Sequence, residues 1–195
     1  MEIFPFISLV MLAVCLSAAC GLRVFLPPFF LGLAAHFGLI EMNEGLAWLS
    51  NWTALTILGV ATIVELTAFY IPYLDNLLDS IASPLAVMAG VLLTSSLLSN
   101  YDPAIKWTVA GIAGGGASSI VQGGTVAIRA ASSGATIGLG NFIVATLETV
   151  SSFLITLLSI FLPIIGLVLV GALFYFSYKA FKAAKNMASD SPPNS

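Results

Sequence analysis

The sequence predicts an all-α integral membrane protein of about six transmembrane segments, two of them broken or re-entrant, arranged as an inverted 3+3 repeat. Three observations lead there. Hydrophobic residues make up 59% of the chain against 8% charged, with a mean hydropathy of +1.06, a balance foreign to soluble domains. Long apolar runs alternate with short polar gaps along the whole chain. Two of the runs carry an arginine together with helix-breaking residues, which a plain spanning helix does not accommodate.

The first run covers residues 6–40. Glu2 precedes it and no Lys or Arg does, so it lacks the charged start of a cleavable signal and reads as a retained span. As one helix it would be about 52 Å long, against a hydrocarbon core of about 30 Å. It is therefore expected to break or fold back, with Gly21, Pro27 and Pro28 marking the break. Further spans are expected near 52–72, 77–98, 104–130, 141–160 and 162–181. Together they form one helical membrane domain, 1–185, with repeat halves 6–98 and 104–181, followed by a disordered polar tail, 186–195. Lys179, Lys182 and Lys185 follow the last run, which sets the C-terminus in the cytoplasm. With six crossings the N-terminus is cytoplasmic too, in a multi-pass protein of the bacterial inner membrane, and the loop holding Glu41 and Glu44 lies outside. Lys106 dissents from this charge pattern.

Three matches occur in the same order in both halves. "GLRVFLPPFFLGL" aligns with "AIRAASSGATIGL", setting Arg23 on Arg129, Gly32 on Gly138, and Pro27-Pro28 on Ser133-Gly134. "VATIVE", ending at Glu65, aligns with "VATLE", ending at Glu148, and "SIASP" aligns with "SIFLP", setting Pro84 on Pro163. Three segments per half make the halves inverted in the membrane.

Arg23, Glu65 and Glu148 read as the charged residues inside the membrane, with Arg129 near a boundary. Such groups face the interior of a bundle and pair, or line a pathway. Two readings stay open. Either each arginine pairs with one glutamate to brace the broken segments, or the arginines bind an anionic or polar substrate while Glu65 and Glu148 couple a proton or cation. Glycines crowd residues 111–140. They serve close helix packing, as in Gly111-x-x-x-Gly115, or they unwind the backbone at Gln122-Gly123-Gly124 and Ser132-Ser133-Gly134 to line a cavity. Gln122 and Ser133 are then candidate substrate contacts, and Gly123, Gly124 and Gly134 the second helix break.

Asp75 and Asp79 lie one turn apart at the start of the third span. They suit a helix N-terminus, Asp75 above all, or a cation. His36 is the one histidine and reads as an interfacial aromatic. Trp48, Trp52 and Trp107 fall where interface anchors belong. Cys15 and Cys20, about 140° apart on a helix, read as packing residues. No metal-ligand cluster, cofactor motif, phosphate loop or nucleophile–base pair is present, so neither an enzyme nor a cofactor is expected. A net charge of −3 argues against a nucleic-acid partner.

The stretches "SAACGLRVFLPPFFLGLAAHFG", "YIPYLDNLLDSIASPLAVMAG" and "ASSGATIGLGNFIVATLE" resemble the bacterial integral membrane proteins catalogued as domain of unknown function 4126. That resemblance implies a single helical membrane domain and brings no activity with it. A fainter fold-level likeness is to DedA-type membrane transporters, through Gly21-Leu22-Arg23 with Pro27, although positions 29–35 lack the second basic residue of that pattern. The leading expectation is a small secondary transporter of an anionic or polar molecule, proton- or cation-coupled and homodimeric. An uncoupled channel or lipid scramblase, and a structural or assembly protein without transport, are the alternatives.

Overall fold

A computed structural model of the chain describes residues 3–71, 74–136 and 140–189, with the side chains of 74–78, 135 and 183–189 outside the described set. The described residues are helical and contain no strand. In order they form α1 (Ile3–Cys20), α2 (Leu26–His36), a 3₁₀ turn (Ala47–Ser50), α3 (Trp52–Ala68), α4 (Leu74–Leu97), α5 (Pro103–Val109), a π-helical stretch (Ala110–Gly115), α6 (Gly116–Thr136), α7 (Asn141–Phe161) and α8 (Pro163–Ser189). By length and apolarity α1, α7 and most of α4 and α8 suffice to cross a membrane, while α2 and α3 are shorter apolar helices of 11 and 17 residues. The protein is a membrane-embedded helical bundle.

Local chemistry accounts for the helix ends. The side chain of Asn51 accepts from the Thr53 N–H at 3.1 Å and that of Asp102 from the Ala104 N–H at 2.8 Å, each satisfying a first-turn donor. Asn51→Ala is expected to cost about 1 kcal/mol, seen as a lower unfolding midpoint in detergent that Asn51→Asp does not share. Gly38, with φ 69°, lets the chain leave α2 through bonds from its own N–H to Ala35 and from Leu39 N–H to Ala34.

The first run is broken as expected, but at residues 21–25 rather than at the prolines. Pro27 and Pro28 lie in the first turn of α2, where a missing N–H is no loss because that turn has no partner to donate to. Gly21 directly follows α1, and a Cβ there would come within 2.6 Å of the Ser118 carbonyl. Glycine is required at 21 for the close approach of α6. The second break is not where the glycines pointed. α6 runs unbroken through Gly123, Gly124 and Gly134, and the irregular backbone is instead the π-helical stretch at 110–115. Gly138 lies outside the described residues. Pro84 sits inside α4 whereas Pro163 opens α8, so the third match pairs unlike positions. α8 continues to Ser189, into the expected tail, and 190–195 lie outside the described residues.

Helix α1 is central, packing on α4, α6, α7 and α8. Close approach between α4 and the π-helical stretch depends on glycine, since a Cβ on Gly90 would meet the Gly114 carbonyl at 2.7 Å. Cys15 and Cys20 are buried in separate apolar clusters. Helix α2 folds back along α1. Leu31, Ile40 and Met42 join the cluster of Leu9, Leu12 and Ala13, and Asn43 donates to the carbonyls of Ser96 (2.9 Å) and Leu97 (2.7 Å) at the end of α4. The rings of Phe6 and Tyr101 meet at that same end, tilted, with centroids 5.1 Å apart. His36 meets the Ser50 carbonyl at 2.8 Å and the Trp52 ring at 4.4 Å, which suits the aromatic role.

The polarity is inverted relative to a soluble protein. Phe4, Ile112 and Ile164 are 87%, 75% and 72% exposed, while the bulkiest fully buried side chain is Arg23. A bundle whose outer surface is hydrocarbon collects its few charges inside.

A buried charge cluster at the first break

Five ionisable side chains converge beside the break between α1 and α2. Arg23 comes from the break, Glu65 from α3, Asp79 from α4, Arg129 from α6 and Glu148 from α7, and each residue is at most 8% exposed. Arg129 is the most heavily engaged. Its Nε donates to Glu148 Oε1 at 3.1 Å, its Nη2 forms a very close pair with Glu148 Oε2, and its Nη1 reaches Asp79 Oδ1 at 3.0 Å. Arg23 Nη2 lies 3.4 Å from the same Glu148 Oε2. Glu148 thus bridges both guanidiniums.

The remaining donors of Arg23 divide unevenly. Nε donates to the Thr149 hydroxyl at 3.0 Å and Nη2 to the Ala145 carbonyl at 2.7 Å, the first next to Glu148 on α7 and the second about one turn before it. Among the described residues nothing accepts from Nη1. A buried guanidinium nitrogen without an acceptor is costly, and here it lies beside a carboxylate shared with a second cation. The Phe69 ring, at the end of α3, carries both charges: the guanidinium carbons of Arg23 and Arg129 lie 4.2 Å and 4.0 Å from its centroid.

Glu65 has a different task. Its Oε1 accepts from the Val24 N–H at 2.7 Å and its Oε2 from the Phe25 N–H at 3.1 Å. Those amides precede α2 and have no helical partner, so the carboxylate closes the N-terminal end of a helix that starts inside the bundle. Both carboxylate oxygens are used. A Gln at 65 would turn an NH₂ group toward one of these N–H donors, so it is not the neutral replacement that its shape suggests.

Three carboxylates and two guanidiniums therefore gather here, formally one negative charge in excess, with Glu148 and Asp79 paired to arginine and Glu65 on backbone amides. Counting only glutamates in the sequence balances the charges and leaves out Asp79, which reads there as half of a helix-start pair. The side chain of Asp75 is outside the described residues. Gln122 and Ser133 are not brought to the cluster. Gln122 reaches Ser83 on α4 at 3.4 Å, and Ser133 accepts from Asn141 at 2.9 Å, tying α6 to the start of α7. Phe69, Thr149 and the Ala145 carbonyl carry no signal in the sequence, because nothing about an aromatic, a threonine or a peptide carbonyl in an apolar run distinguishes it from its neighbours.

Within the cluster the two arginines of the first match and the two glutamates of the second meet at one place. Arg23 nevertheless sits in a gap between helices and Arg129 within an unbroken one.

A family model described as Domain of unknown function (DUF4126) matches residues 10–182. No curated protein and no solved structure matches the chain.

Proposed function

We propose, from the premise that this chain belongs to the DUF4126 family, that it is a small secondary transporter which carries an anion together with a proton. The observation behind the proposal is that Glu148 occupies both arginines while Arg23 Nη1 has no acceptor among the described residues. A carboxylate so placed stands where a substrate anion would bind. When Glu148 takes a proton it releases the guanidiniums, and an incoming anion replaces it. The cluster holds one excess negative charge before this exchange and, for a monoanion, the same afterwards. The buried charge is unchanged through the cycle, which avoids the cost of adding a net charge inside the membrane. Arg23 and Arg129 are the substrate contacts and Glu148 the coupling group. Glu65 holds the break in place.

The fold-back of α2 supports a re-entrant α1–α2 hairpin followed by five crossings, rather than six. Residues near Phe6 and the 37–51 loop share one end of the bundle, so the first run makes no net crossing. With the C-terminal lysines in the cytoplasm, the N-terminus then lies on the opposite face, not on the same one. The gathering of Arg23 and Arg129 on Glu148, with Glu65 on the amides that follow Arg23, supports the repeat in its first two matches.

The test is uptake into proteoliposomes of a panel of small anions, with and without an inward proton gradient. Glu148→Gln is expected to abolish gradient-driven uptake while retaining anion exchange at a rate that no longer varies with pH, since the amide imitates the protonated acid. Gradient-driven uptake that survives this change with its pH dependence intact would exclude Glu148 as the coupling group.

A further inference from the structure

We infer that the substrate carries an extended apolar chain and reaches the arginines sideways from the bilayer, through a slot between α3 and α4 that ends on Phe69. The inference rests on the transporter reading and narrows its substrate to a single-chain anionic amphiphile dissolved in the membrane.

Between α3 and α4 lies a cavity of about 510 Å³, walled by Val60, Ala61 and Val64 on one side and Ile81, Ala82 and Leu85 on the other. Its rim faces hydrocarbon, with Ile57 63% and Ile81 50% exposed. Its inner end is formed by Glu65 and Phe69. Val24 and Phe25 also line a second, separate cavity of about 140 Å³, bordered on α4 by Ala89, Leu93 and Ser96. The α4 residues bordering the two cavities run from Ile81 to Ser96, about 22 Å at the helical rise. Almost wholly apolar walls in both cavities suit an alkyl chain and do not suit a compact hydrated solute.

The polar end of the slot matches an acidic head. Phe69 is 5% exposed and is the last barrier between the slot and the two guanidiniums stacked on its ring. It caps the C-terminal end of α3, its N–H bonded to the Glu65 carbonyl, and a rotation of its side chain leaves that backbone bond in place. Glu65 points both oxygens at backbone amides and offers little free charge to a passing head group. Once Glu148 is protonated, two arginines and the N-terminal end of α2 face only Glu65 and Asp79, and the local field favours an anion. Two cavities of similar size elsewhere do not reach these groups. No cluster residue lines the 460 Å³ cavity between α6 and α8 or the 470 Å³ cavity beside Tyr101.

An ordinary lipid chain also fills a slot open to the bilayer, so the experiment must separate the head group from the chain. The full-length protein in proteoliposomes is photolabelled with a diazirine-bearing long-chain carboxylic acid, and in parallel with the alcohol of the same chain. We expect the acid to label the slot faces of α3 and α4 about tenfold over the outer face of α8, and the alcohol to label all lipid-facing helices alike. Ala61→Phe, which fills the slot away from the charges, and Arg23→Lys, which keeps the charge but loses the planar fork, should each remove the enrichment. Val60→Phe, at a more exposed wall position, provides a second obstruction should Ala61→Phe fail to fold. Equal labelling by acid and alcohol would mean bulk lipid only, and would overturn the inference. So would enrichment that persists in both obstructed variants. Labelling is read without a proton gradient, so it is decided independently of the coupling test. Proton-driven uptake of short water-soluble anions that persists in Ala61→Phe would leave the transporter standing and remove the slot from its route.

Discussion

Arg129→Met is expected to lower stability by about 3–5 kcal/mol, the scale for removing one partner of a buried ion pair. Arg129 holds Glu148 through two donors and Asp79 through a third, so its loss takes a charged partner from two buried carboxylates at once. Adding Asp79→Asn should recover about half of the loss, because Glu148 still has Arg23 at 3.4 Å. Arg23→Met should cost less, about 1–3 kcal/mol. Glu148 keeps Arg129 in that variant, and the Ala145 carbonyl still accepts from the Thr149 hydroxyl at 2.8 Å. The measurement is the thermal unfolding midpoint in detergent of the two single variants and the double. The asymmetry separates a strut from a site: Arg129 braces two carboxylates, while Arg23, with a donor left over, is the arginine that the proposed transport assigns to a ligand. An Arg23→Met protein as unstable as Arg129→Met would assign Arg23 to structure and weaken the transporter reading at its main support.

The second large effect concerns glycine packing. Gly114→Ala is expected to destabilise by about 1–3 kcal/mol and Gly114→Val by more, because a Cβ there would lie 2.5 Å from the Gly90 carbonyl and collide with the Thr94 hydroxyl. The obstacle includes backbone, which cannot swing aside as a side chain does. Gly123→Ala, about two turns along the same glycine-rich stretch, meets nothing within 4 Å. It should be neutral or stabilising by up to about 1 kcal/mol, since alanine is the better helix former. Unfolding midpoints of the pair test whether the glycines act through space or through flexibility. Equal effects at 114 and 123 would contradict the close approach of α4 to the π-helical stretch.

Much of the fold is legible in the residues because its causes are local. Apolar runs set where helices lie, and the ends of α3 and α5 follow from Asn51 and Asp102 beside them. The break after Cys20 is announced by Gly21, Arg23 and the prolines together, and misjudged only in detail, because a proline pair marks a helix start as readily as an interruption. The glycines of 123, 124 and 134 misled for a related reason. In a membrane, glycine is as often a place for another helix to approach as a place for the backbone to unwind, and composition does not tell these apart.

The sequence by itself determined the membrane class, the order and approximate limits of the helices, the first break, and the identity of four of the five buried charges. Only the tertiary structure decided that Glu148 bridges both arginines, that Glu65 closes α2, that Asp79 belongs to the cluster, and that Phe69 stands between the guanidiniums and the slot. The physical reason is twofold. A lipid-facing residue and a core residue are both apolar, so the periodicity that reveals the inner face of a soluble helix is muted here. The pairing of charges depends on how helices tens of residues apart are rotated and shifted against one another, and that is set by the summed packing of α1 against its neighbours rather than by any short stretch of chain.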